Sequence, residues 1–420
     1  MSIDPRSILR ALADAAIAAA DPNTRVPAVL PPAPKKAIVL GAGKASAAMA
    51  KGLEAAWKDT DLSGLVVTRY GYEVACDKIE IVGASHPVPD EAGREAAARI
   101  VEIANAAGEG DLIIALISGG GSALLTAPAE GISFEEKQEV NRLLLRSGAD
   151  IGEMNTVRKH LSAIKGGRLA EAAFPATLIT VLISDVPGDD PAVIASGPTV
   201  PDPTTFADAR AVVEKYAMPV PDSVRRHLDK AEDETPKPGD TIFDRATLVF
   251  AAKPDKSIAA AAEVAVEHGL NVVDLGDQLE GEARDLGREH AKIALACKAG
   301  TGPGSTPCVI VSGGETTVTM TGSGRGGRNT EYLLGVADAL NGADGIYAVA
   351  CDTDGIDGSE DNAGAFIDPT TLTRAESSGL SVDAALEAND AYSLFQNIGD
   401  LLITGPTFTN VNDFRAILVT

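Results

Sequence analysis

The chain has 420 residues, 45% of them hydrophobic and only 4% aromatic, with 42 glycines. That composition excludes a disordered chain and suits a tightly packed α/β protein, while the length exceeds one ordinary core and implies two domains. The 36 Lys and Arg against 60 Asp and Glu leave a net charge of −24, a field that repels nucleic acid and anionic membrane and makes any basic cluster conspicuous.

The alanine-rich opening from Ile8 to Ala20 reads as a packing helix rather than a leader. Arg10 and Asp14 interrupt it, and Asp21-Pro22 follows it. After a proline-rich connector, strands and helices alternate. Strands are expected at Ala37 to Leu40, Leu65 to Thr68, Ile79 to Val82, Leu112 to Ile117 and Leu178 to Ile183. Helices are expected at Lys44 to Trp57, Glu91 to Asn105, Ser133 to Arg146 and Asn155 to Leu169. Continuous apolar strands between amphipathic helices predict a mostly parallel sheet covered on both faces. The polar stretch Glu232 to Asp240, with Pro236, Pro238 and Gly239, is the expected linker. Strands resume near Thr247 to Ala251, Val272 to Leu275, Cys308 to Val311 and Ile346 to Ala350. No apolar run approaches the ~20 residues of a membrane span. The cysteines, Cys76, Cys297, Cys308 and Cys351, are scattered with no C-x-x-C pair, as in a cytoplasmic protein with reduced thiols and no zinc site.

Two apolar runs end in Ser-Gly-Gly. One is Ile114 to Ile117 followed by Ser118, Gly119, Gly120, Gly121 and Ser122. The other is Val309 to Val311 followed by Ser312, Gly313, Gly314 and Glu315. Glycine permits a sharp turn that aims successive N–H groups at a ligand, so each is a candidate anion nest holding nucleotide phosphates. The segment Gly41-Ala42-Gly43-Lys44-Ala45-Ser46 fits neither standard nucleotide motif. A dinucleotide fingerprint wants Gly or Ala where Ser46 stands and an acid near Arg69, and a Walker A loop wants a glycine near Ile38. Lys44 at a helix start still suits a phosphate or carboxylate.

On the helix expected from Asn155, the residues Asn155, Arg158, Ser162 and Lys165 share one polar face. In so acidic a chain that face is a candidate anion wall. Asp185 and Asp189 follow a strand end, where ligands of open α/β sheets sit. They are candidates for Mg2+ binding or for a general base. Arg325 and Arg328, with Asn329, lie in a glycine-rich loop where guanidinium groups lack local packing partners. Asp352 and Asp354 open half of a calcium-loop pattern, but Ala363 stands at its twelfth position, so an EF-hand is not expected and they join the metal candidates. His86 sits in a proline-set turn, a structural place that also leaves it a candidate substrate contact. There is no Ser/His/Asp hydrolase signature.

Taken together, Gly41 to Ser46, Ser85 to Asp90, Ser118 to Leu125, Asn155 to Leu169, Ser184 to Thr199, Ser312 to Thr316, Gly324 to Asn329 and Asp352 to Gly364 resemble, in their order, the class II glycerate 2-kinases. The resemblance covers essentially the whole chain. This is the family whose C-terminal part is called MOFRL and which often carries the name hydroxypyruvate reductase. The resemblance implies ATP- and Mg2+-dependent phosphorylation of the 2-hydroxyl of D-glycerate. It also implies two α/β domains, the N-terminal one Rossmann-like, with the active site in the cleft between them. The expected domains are 1–235 and 241–420, with the MOFRL region at about 307–415. Lys44 and Arg325 match the family's lysine and arginine thought essential for activity. Other readings are a nicotinamide-dependent hydroxypyruvate reductase, a kinase of a related sugar acid and a non-catalytic anion sensor. A small-molecule partner is expected, with neither nucleic acid nor membrane, and the sequence leaves the oligomeric state, a homodimer included, open.

Overall fold

The first expected strand forms as β1 (Lys36–Ala42) in the computed structural model, which describes residues 4–420. It is joined by β2 (Asp61–Arg69), β3 (Glu80–Ala84), β4 (Leu112–Ile117), β5 (Thr177–Ile183) and β6 (Ala246–Ala252) in one six-stranded sheet ordered β3-β2-β1-β4-β5-β6. The pairings from β3 through β5 are all parallel. Val39, Leu40, Val66, Val67 and Ile113 to Ile117 are fully buried, which is why these strands read as unbroken apolar runs rather than as alternating ones. The order reverses between β1 and β4. The carboxyl ends of these two strands therefore border the switch point at which doubly wound sheets bind ligands.

Two helices start on reciprocal caps. Ser133 and Glu136 cap Phe134–Ser147, and Asp150 and Glu153 cap Ile151–His160. Their apolar faces meet in a cluster of Val140, Leu144, Val157 and Leu161 with Phe206 and Val224. The helix expected to continue to Leu169 stops at His160. The Ser162 hydroxyl takes the N–H groups of Ile164 and Lys165 out of helical bonding, and Gly166 and Gly167 adopt φ of 59° and 84°. A new helix begins at Arg168.

The expected linker is instead built into this unit, which comprises Pro22–Ser184 and Asp189–Ala251. Glu234 accepts from His160 Nε2 at 2.8 Å, and buried Thr235 donates to Asp202 at 3.0 Å.

The other unit contains residues 4–21, Asp185–Gly188 and Ala252–Thr420. The opening helix Pro5–Ala18 lays Leu9, Leu12 and Ala16 against Ile258, Val309, Val349 and Leu418. The strands here are β7 (Asn271–Asp274), β8 (Gly281–Glu282), β9 (Cys308–Gly314), β10 (Thr316–Thr317), β11 (Ile346–Asp352), β12 (Gly364–Ile367), β13 (Leu401–Leu402) and β14 (Asp413–Val419). The larger sheet is ordered β13-β12-β11-β14-β9-β7 and is mixed. Only β7 and β9 pair in parallel within it, and β8 and β10 form a separate pair. No helix among the described residues is long and apolar enough to cross a membrane, and all four cysteines are free thiols.

Candidate active site

Two loops at the switch point lock together. The Lys44 N–H donates to the Gly119 carbonyl at 2.8 Å, the Ala45 N–H donates to Ser118 Oγ at 3.0 Å, and Ser46 and Ser118 hydroxyls meet at 3.2 Å. A Cβ at Gly43, where φ is +147°, would lie 2.1 Å from Ser118 Oγ, so this close approach requires glycine. Gly120 is left-handed, with φ 79°, and starts the short helix Gly121–Leu124. The Gly119 and Gly120 N–H groups have no hydrogen-bond partner among the described residues. A Cβ at Gly120 would sit 3.2 Å from both Lys44 Cγ and the His86 ring, so the lysine stem and the histidine both stand beside this glycine.

Beside this turn lies a cavity of about 230 Å³. Three basic side chains, Lys137, Arg158 and Lys165, line it, together with His86, Gly120 and Ser122. Lys137 Nζ donates to the Leu161 carbonyl at 2.5 Å, Lys165 Nζ to the Ser122 carbonyl at 2.6 Å, and Arg158 Nε to Asn141 Oδ1 at 2.9 Å. None of the three makes an ion pair with a carboxylate among the described residues. Burial, with the Arg158 charge adding to it, pushes the Lys137 ammonium down to about 7. Burial, then the charges of Lys137 and Arg158, push Lys165 well below its ordinary value. Cations gathered in a low-dielectric wall without counter-charges favour an anionic ligand.

Sequence reasoning brought Arg158, Lys165 and His86 to this place but missed Lys137. The available signal was a lysine in helical phase with buried Val140 and Leu144. Asn155 is 4% exposed and accepts from Ser196 Oγ at 3.1 Å, while Ser196 also meets Ser122 Oγ at 2.8 Å. Asn155 thus braces the turn from behind. Asp189, Ala195 and Ser196 all have positive φ, of 55°, 53° and 61°, a concentration of backbone strain in the loop that supports Ser122.

In the other unit the second Ser-Gly-Gly is no turn. Ser312, Gly313 and Gly314 continue β9, in register with Arg415, Phe414 and Asp413 of β14. The Gly313 N–H donates to Gly276 and its carbonyl accepts from Arg415, so the expected nest is occupied by the protein's own groups. The antiparallel partner supplies the physical reason, because pairing extends to the last glycine. Arg328 is held by Glu315, by Asp352 at 3.0 Å and by Asp413 at 3.2 Å. Asn329 is fully buried, donating to Asp413 at 2.8 Å. Arg328 and Asn329 are thus both held by the protein's own carboxylates.

Arg325 differs from them. It is half exposed, lies 4.4 Å from the Tyr392 ring centre, and donates through Nε to Glu360 at 2.9 Å. Asp185 Oδ2 accepts from Asn410 at 2.9 Å, and its carbonyl accepts from Asn412. Nothing in the spacing of the chain pointed to these asparagines. Asp352 accepts from the Asp354 N–H as well as from Arg328, and Asp354 accepts from Ile356 N–H at 2.8 Å. No group of three or more His, Cys, Asp or Glu poised for a metal occurs among the described residues.

Residues 8–229 match a domain family of unknown function, DUF4147, and residues 308–413 match the MOFRL family. The chain is 54% identical to an Agrobacterium vitis protein provisionally named hydroxypyruvate reductase, covering 99% of this chain and 95% of the relative. It is 41% identical to the D-glycerate 2-kinase of Thermotoga maritima, covering 90% of this chain and 89% of the relative. The crystal structure of a glycerate kinase from Thermotoga maritima superposes with a TM-score of 0.90 at 39% identity, covering 99% of this chain and all of that one.

Proposed function

The chain belongs to the glycerate kinase family that joins DUF4147 to MOFRL, and we propose that it transfers the γ-phosphoryl group of ATP to the 2-hydroxyl of D-glycerate, giving 2-phosphoglycerate. One observation carries the reading: the two unpartnered amides of Gly119 and Gly120, flanked by Lys44 and by buried Lys137, buried Lys165 and half-buried Arg158, three basic side chains that have no carboxylate partner among the described residues. Phosphoryl transfer needs positioning and charge neutralisation more than covalent chemistry. These amides are suited to phosphate oxygens, and Lys44 to the charge that spreads over the transferred group. Arg325, already oriented by Glu360 and Tyr392, is suited to a carboxylate or phosphoryl oxygen. The hydroxyl proton passes to Asp185 or Asp189. The Asp185 carboxylate is oriented by Asn410.

Mg2+ needs only one or two carboxylates when phosphate oxygens and water complete its shell, and a single aspartate is a donor of that kind. Asp189 is proposed to hold the ion, which neutralises phosphate charge when bound.

The reductase name borne by relatives finds less support. Arg69, near the Tyr72 ring, ends β2 where a dinucleotide site wants a carboxylate for the ribose.

A coupled ADP-release assay with D-glycerate, followed by phosphorus NMR of the product, tests the proposal. Lys44→Ala and Arg325→Ala are each expected to lose turnover about 10²- to 10³-fold while keeping their melting curves. Near-normal turnover in both would remove them from the mechanism. Nicotinamide oxidation with hydroxypyruvate, in place of ADP release, would replace the kinase reading altogether.

A further inference from the structure

The Lys137 cavity has two ends of different chemistry. Lys137, Val140, Asn141, Leu144 and Leu145 all line it from the helix Phe134–Ser147. Their spacing of three, four, seven and eight residues puts them on one face. At 1.5 Å per residue, Lys137 and Leu144 stand about 10 Å apart along the axis. The wall therefore runs from a cationic end to an apolar end. Pro87 and Pro89 add further apolar surface.

D-glycerate carries an oxygen on every carbon and has no apolar face to bury. Placing its hydroxyls against leucine and valine would strip them of water without supplying hydrogen-bond partners, which is unfavourable. A nucleoside has what the wall asks for, with flat apolar ring faces, polar edges and a phosphate chain leaving from one end. Asn141 uses its Oδ1 to hold Arg158, while its Nδ2 has no partner among the described residues and is available to an acceptor on the ligand.

We propose that the apolar end of this cavity seats the nucleoside of the phosphoryl donor, its phosphate chain passing the three basic side chains toward the Gly119 and Gly120 amides. The inference rests on the kinase reading for the identity of the donor. It goes beyond that reading in assigning the cavity to the nucleotide and not to the acid.

Leu145 lines the cavity yet is 64% exposed, so Leu145→Asp can be made without disturbing the core. A carboxylate there is expected to raise KM for ATP about tenfold and leave KM for D-glycerate within about twofold. Binding of a fluorescent ATP analogue is expected to weaken by the same factor. Unlabelled adenosine is expected to displace the analogue from the wild-type protein, and D-glycerate is not. A rise in KM for D-glycerate with KM for ATP unchanged would overturn the assignment and leave the kinase reading standing. So would unchanged values for both, with the analogue binding as before. Should the wild-type protein release no ADP with any 2-hydroxy acid, the kinase reading fails by itself. The analogue's affinity for the two proteins then still decides the cavity assignment, equal affinities overturning it and a tenfold loss upholding it.

Discussion

Ser118-Gly119-Gly120 and Ser312-Gly313-Gly314 each end a run of buried apolar residues, yet the first breaks from its sheet and the second stays in it. The difference lies in their neighbours. β4 runs between parallel partners β1 and β5, and parallel strands are joined by crossovers, so its glycines leave the sheet and open a helix. β9 has the antiparallel strand β14 alongside, which extends the ladder to the pair Gly314 and Asp413. The first site keeps amides unspent beside cations that lack counter-charges. The second spends its groups on its own arginines. Permissive backbone marks where a site can form, and strand direction decides whether one does.

Substitutions can break this comparison at either end. The largest effect on folding is expected for Gly314→Ala, because a Cβ would lie 2.2 Å from the Leu279 carbonyl oxygen and 2.4 Å from its nitrogen, both backbone atoms. A loss above about 4 kcal/mol is expected by chemical denaturation, and a variant as stable as the parent would show that β9 is not pinned there. Next comes Arg328→Met, which takes the shared cation away from Asp352 and Glu315 and leaves Asp413 with Arg415 alone. It should cost about 3–5 kcal/mol, and a stable variant with altered substrate affinity alone would return Arg328 to the binding residues. Gly120→Ala is expected to do the reverse, losing about 1–2 kcal/mol of stability for its left-handed backbone but about 10²-fold in turnover. Equal turnover in variant and parent would mean that the nest holds nothing.

The smallest effect separates the two sites by pH. Lys137 sits near 7 in the folded chain against 10.5 for an ordinary lysine. Between those values the unfolded chain holds a proton that the folded chain has released, so stability rises with pH across that window. Lys137→Met should lessen the rise, read as denaturation midpoints at pH 7 and pH 9, with Lys165 supplying the part that stays. Arg328, whose three carboxylate neighbours raise it despite burial, contributes nothing over the same range. An undiminished slope in the variant would place the titration elsewhere.

Much of this protein was legible from residue order. The strands from β1 to β5 and the turn at Gly119 and Gly120 follow from apolar runs ending in glycine, a local pattern that the backbone obeys locally. The family could be read from the order of short motifs. Three things needed the folded chain. The break after His160 came from a serine hydroxyl competing with the helix, and the membership of the opening helix came from its apolar face meeting β9, β11 and β14. The third was Lys137, whose importance comes from burial beside Arg158 and Lys165, residues far from it along the chain. Local steric rules act within a few residues and are written in sequence. Desolvation and charge depend on which atoms crowd together in space, and only tertiary packing determines that.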